Sequence, residues 1–149
     1  MNRLLIAAAA AGLAFTSASQ AFEVFADYTP SKEVWNVTFV KVNPNRIDDY
    51  LEGLKQTWIS GCEISKKQGT ILDCAVYLSE TAANRDFNLV LVMQFPNAAA
   101  LDPNAEQYKA FMAAMRAQLE EAKQDALVEG YEEMRSFFGE QNFRLIQFK

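Results

Sequence analysis

The order of strand-like and helix-like segments restricts the fold of this chain more than any other feature. Residues 33–42 are dominated by β-branched and aromatic side chains, a composition that is typical of a strand. Asn43 and Pro44 follow as a helix N-cap and a first helical residue, and apolar side chains then recur at spacings of three and four. The pattern predicts a strand followed directly by an amphipathic helix, which Gly69 ends with a left-handed exit.

The rest of the chain repeats this order with one more strand. The predicted elements are strands at 70–79 and 87–95, a helix that begins at Asp102-Pro103, a helical piece ended by Gly139, and a strand at 142–149. The order β-α-β-β-α-(α)-β predicts the α+β class with a ferredoxin-like, split βαβ arrangement. In that arrangement a four-stranded antiparallel sheet carries its helices on one face.

Both strands in the middle of the chain are apolar on both faces. A sheet with one face in water alternates apolar and polar side chains more cleanly than residues 70–79 and 87–95 do. Since the helices cover one face, we expect the other face to pack against the same face of a second copy, which predicts a homodimer. The leader arm or another chain could cover this face instead, and the sequence leaves those alternatives open.

The N-terminal residues have the pattern of a secretory signal peptide. A short segment with one cation, Arg3, precedes an apolar run at 4–15, and Ser19 and Ala21 supply the small residues of a cleavage site. The run is shorter than the roughly 20 residues that cross a bilayer, so a membrane anchor is not predicted. We therefore expect cleavage near Ala21 and a periplasmic or secreted protein. Its predicted parts are a cleaved signal peptide (1–21), a leader arm (22–32) and a single α+β domain (33–149).

The composition excludes several classes of function. The chain contains no histidine, which removes the commonest general base and the usual ligand of zinc and haem iron. No metal site and no cofactor are predicted. The formal charge of −5 at pH 7, without a Lys/Arg cluster, argues against nucleic acid and anionic membranes as partners.

Cys62 and Cys74 are the two cysteines of the chain. In an exported protein, an isolated pair more often forms a disulfide than two free thiols. The pair is not a CxxC motif, and two thiols without histidine make a poor metal site. A structural disulfide between the end of the first helix and the second strand is predicted.

In this order of elements the chain resembles the dimeric α/β-barrel superfamily, whose best-known branch is the antibiotic-biosynthesis-monooxygenase-like group. The resemblance lies in the passages WNVTFVKVNPNRIDDYLEGLKQTW, ILDCAVYLS with FNLVLVMQF, and MRSFFGEQNFRLIQF. It implies a homodimer with a small pocket between the helices and the sheet of each subunit. Members include cofactor-independent oxygenases and haem-degrading enzymes. Asn36 and Trp58 loosely match two residues of the haem-degrading Asn, Trp and His pattern, and the chain has no histidine to match the third.

Five side chains are candidates for lining such a pocket. They are Asn36, Thr38, Tyr50, Trp58 and Tyr77. An Asn amide in an apolar pocket can orient a substrate oxygen, and Trp offers a large apolar wall with one N–H donor. Each also has a structural explanation, namely hydrogen bonds across strands for Asn36 and Thr38 and core packing for Trp58. Arg116 and Arg135 have acidic neighbours in helical segments and are expected on solvated faces.

These observations favour a small, exported, dimeric domain that binds a small, mostly apolar molecule between helices and sheet. One alternative is a cofactor-independent monooxygenase or isomerase, in which Asn36 polarises the substrate and a tyrosine or Asp73 moves a proton. Another is a structural or interaction module without a ligand, whose cleft is filled by its own side chains. A cavity lined by convergent polar groups would favour the first two functions, and the sequence does not decide whether the chain is an enzyme.

Overall fold

A four-stranded antiparallel sheet organises residues 21–80 and 86–149, which are the residues that the computed structural model describes. The strands are β1 (Tyr28–Pro30), β2 (Val34–Val42), β3 (Asp73–Leu78), β4 (Leu89–Phe95), β5 (Arg135–Phe143) and β6 (Ile146–Phe148). The main sheet has the order β3-β4-β2-β5, and β1 pairs with β6 in a separate two-stranded ribbon. This strand order is the ferredoxin-like topology, so the predicted fold class is confirmed.

Two sets of helical segments connect the strands of the main sheet, one between β2 and β3 and one between β4 and β5. The helices are α1 (Ile47–Leu54), a π-helical turn (Lys55–Ile59), α2 (Ser60–Lys67), α3 (Ala105–Gln118) and α4 (Glu121–Met134). Asn43 caps the first helical turn by accepting a hydrogen bond from the Asn45 N–H, and Gly69 leaves the helix with a φ of 70°, as predicted. No helix of the described residues is long and apolar enough to span a membrane.

The prediction that α3 begins at Asp102 is wrong by a few residues. Asp102 follows a short 3-10 turn, and α3 begins at Ala105. Its cap is Asn104, whose side-chain oxygen accepts hydrogen bonds from the N–H groups of Glu106 and Gln107. Because Asn satisfies two of the orphan donors of the helix, Asn104 determines where α3 begins.

The last helix ends earlier, and the strand after it begins earlier, than the sequence predicts. The helical spacing extends the apolar stripe of α4 to Phe138, but α4 ends at Met134 and Arg135–Phe143 forms β5. The Asn43 N–H donates to the Met134 carbonyl, and Arg135 pairs with Val42 at the end of β2. Since β2 would otherwise have an unpaired edge, pairing along β2 outweighs the local helical pattern.

The apolar core lies between the sheet and the helices. Alternate residues of β2 and β4, Val40 and Val42 with Leu89 and Leu91, pack under the helices. Buried side chains from α1 and α4, Tyr50, Leu54 and Tyr131, complete this core cluster. Side chains of a strand alternate between faces, so Trp35, Val37, Phe39, Val90 and Val92 lie on the opposite face of the sheet.

The predicted signal peptide, residues 1–21, lies outside the described residues except for Ala21. Residues 28–30 of the predicted leader arm form β1 and pair with 146–148 near the chain end. The ring of Phe22 stacks on that of Tyr28 at a centroid distance of 5.6 Å. The division into signal peptide, leader arm and domain remains a prediction.

Candidate functional site

A cleft of about 320 Å³ lies between the helices and the sheet. Its lining residues come from α1, the π turn, α2, α3, α4 and the strands β4 and β5; they are Leu54, Thr57, Trp58, Gly61, Cys62, Ser65, Met93, Phe111, Met115, Gln124, Val128, Tyr131 and Arg135. Most of the walls are apolar, and a few polar groups project among them. This combination is typical of a small-molecule site.

The π turn places two side chains in the cleft. Such turns occur often at functional sites, since the extra residue changes which side chains face inward. Trp58 packs against the apolar core, and Thr57 beside it is buried. The Thr57 hydroxyl donates to the carbonyl of Gly53 at 3.1 Å and lies 2.6 Å from the Tyr131 hydroxyl. Either hydroxyl can be the donor of the bond between Thr57 and Tyr131.

Gly53 lets α1 and α4 approach closely at this point. A Cβ atom at this position would lie 2.7 Å from Cε1 and 2.8 Å from the hydroxyl oxygen of Tyr131. Real Cβ contacts are longer than this, so any other residue would displace the Tyr131 ring. Glycine is therefore required here for packing, although its backbone conformation is an ordinary helical one.

Arg135, the first residue of β5, enters the cleft within a group of aromatic rings. Its Nη1 atom donates to the Tyr50 hydroxyl at 2.5 Å. The guanidinium carbon lies 4.1 Å from the ring centroid of Phe137, 5.0 Å from that of Tyr131 and 5.3 Å from that of Tyr50. These distances are within the range of cation–π attraction, so the rings hold the cation in one orientation.

Burial keeps both tyrosines in their protonated form at neutral pH. Desolvation raises the pKa of Tyr50, and the nearby charge and hydrogen bond of Arg135 oppose this rise only in part. Desolvation likewise raises the pKa of Tyr131, while its hydrogen bond with Thr57 acts in the opposite direction. Both phenols are therefore protonated at neutral pH and can take part in hydrogen bonds.

The predicted Cys62–Cys74 disulfide is present, and Cys62 lies at one side of the cleft. The disulfide joins α2 to β3 with a Cα–Cα separation of 6.3 Å. Cys62 lines the cleft, and Cys74 pairs with Met93 of β4, which also lines it. The disulfide therefore holds α2 against the strands of the sheet that line the cleft.

The two candidates on β2 lie on the helix-facing side of the sheet, next to β5. Asn36 is buried and its amide donates to Glu140 Oε1 at 2.6 Å and to Asn142 Oδ1 at 3.0 Å. Thr38 is partly buried and pairs with Glu140 in the strand register. Both amide hydrogens of Asn36 bind β5 side chains, so this amide stabilises the pairing of β2 with β5.

The three aromatic candidates occupy three different environments. Trp58 lines the cleft, Tyr50 is fully buried and reaches the cleft through Arg135, and Tyr77 lies on the outer face with 60% of its surface exposed. Asp73 is also exposed, and its carboxylate lies 3.7 Å from the Lys66 ammonium. The structure thus brings Trp58 and Tyr50 to one site and places Tyr77 and Asp73 away from it.

Sequence reasoning missed Thr57, Tyr131 and Arg135 as site residues. The prediction of a solvated face holds for Arg116, which forms an exposed ion pair with Glu121, but is wrong for Arg135. Glu132 and Glu133 come shortly before Arg135 in the sequence and suggest a charged helix surface. Arg135 is instead the first residue of the strand β5, and its side chain lies under the helices. The helical spacing of Tyr131 from Leu127 signals core packing, and it does not reveal the hydroxyl's partner.

No group of three or more histidine, cysteine or carboxylate side chains within 21–80 and 86–149 could hold a metal ion. The lining of the cleft offers the hydroxyl groups of Thr57, Ser65 and Tyr131, the Gln124 amide, the Arg135 guanidinium group and apolar walls. These groups can orient a ligand oxygen and donate a proton.

Comparisons with solved structures find several proteins at low sequence identity. A conserved protein of unknown function from Bacteroides thetaiotaomicron is 16% identical, with a TM-score of 0.45, and the match covers 77% of this chain and 99% of that protein. A dimeric protein of unknown function with a ferredoxin-like fold, from Bacteroides fragilis, is 11% identical with a TM-score of 0.41, covering 81% and 100%. A candidate antibiotic biosynthesis monooxygenase from Bacteroides thetaiotaomicron is 14% identical with a TM-score of 0.41, covering 76% and 88%. No protein-family model matches the chain, and no curated protein matches it.

These likenesses concern the fold alone. The ferredoxin-like assignment rests on the strand order of this chain. What the cleft binds or converts follows from its own side chains.

Proposed function

We propose that this chain is an exported, homodimeric domain that binds a small, mostly apolar molecule in the cleft between its helices and its sheet. The observation that carries the proposal is the convergence of Thr57, Tyr131 and Arg135 on an otherwise apolar cleft. A cleft filled by its own side chains, as expected of a structural module, would leave no such space. Trp58 and Met93 supply apolar walls, and the polar groups orient the ligand.

Ligand binding is tested by filling the cleft. The probe is 1-naphthamide, a neutral two-ring compound, titrated by calorimetry into the mature protein. Val128→Trp places an indole at the cleft lining and is expected to weaken binding at least tenfold. Tyr108→Trp adds the same side chain on the exposed surface of α3, outside the cleft, and is expected to leave the affinity unchanged. Absence of binding to the unmodified protein, or equal binding by both variants, would refute the proposal.

The outer face of the sheet supports the homodimer. Phe138 and Phe143 are 57% and 45% exposed, and the rings of Phe39, Phe87 and Phe138 lie in succession at centroid distances of 4.7 and 6.4 Å. A continuous aromatic and aliphatic surface of this kind is costly in water. A second copy is the occupant proposed because its own outer face has the same composition and can pair with it symmetrically.

The dimer is tested with two matched surface substitutions. Phe138→Lys introduces a charge on the outer face and is expected to convert the dimer to a monomer in light-scattering measurements. Tyr108→Lys makes a comparable change at an exposed aromatic residue on α3 and is expected to leave the dimer intact. A monomeric unmodified protein would refute this part of the proposal.

Export is supported by the N-terminal pattern and agrees with the disulfide. An intact mass of protein recovered from the periplasm or medium tests it. We expect the mass of residues 22–149, reduced by two hydrogens. A chain that retains residues 1–21 would contradict it.

An enzymatic function is the second candidate, and the protonated Tyr131 in the cleft favours it. A phenol that is hydrogen-bonded to Thr57 can donate a proton to an oxygen atom of a bound substrate. The reaction would be a cofactor-independent oxygenation or an isomerisation. Oxygen uptake with an anthrone as substrate tests this function: turnover that Tyr131→Phe abolishes would support it, and binding without turnover would leave the binding function alone.

A further inference from the structure

Arg135 is a cation in an apolar cleft without an acidic partner. Within the described residues it forms no ion pair, and the acceptor of its hydrogen bond is the neutral Tyr50 hydroxyl. Glu132 and Glu133, three and two positions before Arg135, are exposed and form no ion pair with it. Arg46 and Arg116 each bind a carboxylate, whereas Arg144 donates to the backbone carbonyl groups of Ser31 and Lys32.

The surroundings of Arg135 favour an anionic partner. A guanidinium has five N–H donors, and one of its nitrogens is engaged with Tyr50. The remaining donors are not buried without partners, and Arg135 lines both the cleft and a second surface depression next to Glu132 and Glu133. An anion bound in the cleft can therefore reach the guanidinium group. The rings of Phe137 and Tyr131 lie within cation–π distance of the guanidinium carbon and carry no competing charge. A planar fork of this kind matches the two oxygens of a carboxylate.

We propose that Arg135 anchors the carboxylate of an amphiphilic monocarboxylic acid whose apolar body lies against Trp58 and Met93. The proposal rests on the proposed binding function and defines its ligand class. One cation in an otherwise uncharged lining matches a single negative charge, and the apolar walls match a hydrocarbon or aromatic body. The net charge of −5 works against non-specific binding of anions, so a preference for an anion must come from this site.

The test compares two probes that differ in charge and little in shape. These are 1-naphthoate and 1-naphthamide, titrated by calorimetry at pH 7.5 into the full mature protein. We expect naphthoate to bind at least about tenfold more tightly, the scale of a charge-assisted hydrogen bond in a partly desolvated site. Arg135→Gln is expected to remove this preference, so that the variant binds the two probes with equal affinity.

Two further variants complete the test. Arg135→Lys keeps the charge but not the planar fork, so an intermediate preference for naphthoate is expected even if Arg135→Gln does not fold. Arg116→Gln removes an exposed arginine outside the cleft and is expected to leave both affinities unchanged. Circular dichroism of each variant checks that it is folded.

The outcomes separate the two proposals. Equal affinity of the unmodified protein for both probes would overturn the anchor while the binding function stands. A preference for naphthoate that survives in Arg135→Gln, or that disappears in Arg116→Gln, would also overturn the anchor. Binding of neither probe would overturn the proposed function and the anchor with it.

Discussion

The hydroxyl of Tyr131 on α4 lies 2.6 Å from the hydroxyl of Thr57 in the π turn. This hydrogen bond joins two helical segments through residues that are 74 positions apart in the sequence. Both side chains line the cleft, so the same contact that holds the helices together also shapes the site. Stability and binding are therefore coupled at this position.

Removal of this contact is expected to lower the free energy of unfolding, and the effects of the two substitutions are expected not to add. Thr57→Val should cost about 1–3 kcal/mol, because it leaves the Tyr131 hydroxyl without its partner. Tyr131→Phe should cost less, because the Thr57 hydroxyl keeps its hydrogen bond to the Gly53 carbonyl. The double variant should cost less than the sum of the two, and urea unfolding of all four proteins measures the coupling. Strictly additive losses would show that the two hydroxyls do not interact.

Gly53→Ala is expected to be destabilising, although alanine favours helices. The new Cβ atom would meet the Tyr131 ring at 2.7 Å, and overpacking of this kind costs about 1–3 kcal/mol. Gly130→Ala is a matched control within α4, since its Cβ would lie 3.7 Å from the Met134 methyl group, an ordinary contact. It should stabilise the protein by about 0.5–1 kcal/mol. Similar effects of both substitutions in urea unfolding would contradict the close approach.

Folding stability is expected to fall in alkaline solution. The pKa values of Tyr50 and Tyr131 are raised in the folded state, so the folded protein holds these protons more tightly than the unfolded chain does. The resulting stabilisation is complete below the ordinary tyrosine pKa of about 10 and is lost as the pH rises through the raised values. Urea unfolding between pH 8 and pH 11, roughly spanning that pKa, should show this loss. Tyr50→Phe should reduce the slope, and an unchanged slope would contradict it.

Loss of the disulfide that borders the cleft is expected to lower the stability of the protein. The Cys62→Ser, Cys74→Ser double variant should lose about 3 kcal/mol, the entropic stabilisation of a loop of this length. Thermal unfolding with and without dithiothreitol measures the effect. The unmodified protein should become less stable with the reductant, whereas the double variant should not respond. Equal responses of the two proteins would contradict the assignment.

Much of the fold could be predicted because local patterns and the tertiary structure agree. The β-branched run of β2, the Asn43-Pro44 helix start and the Gly69 exit are local signals, and the structure uses each of them. The cysteine pair could also be predicted, since Cys62 and Cys74 come close once the first helix turns back onto the second strand. The end of α4 could not, because pairing of β5 with β2 outweighs the helical spacing that includes Phe138.

The site was predicted less completely than the fold. Trp58 lies on a helical stripe that points to the sheet, so its place at the cleft follows from spacing. Asn36 also points toward the helices, but Glu140 and Asn142 bind its amide, and these partners lie more than 100 residues away in sequence. Arg135 was assigned to a solvated surface because its sequence neighbours are charged, although its spatial neighbours are aromatic.

The sequence by itself determined the element order, the two-sided apolar sheet and the absence of histidine chemistry. These properties depend on residue type and on spacings within a single element. Only the tertiary structure decided where β5 begins, which hydroxyl meets Thr57 and that Arg135 lies among aromatic rings in the cleft. Each of these depends on contacts between segments that are far apart in the chain, and local propensity is too weak to determine such contacts.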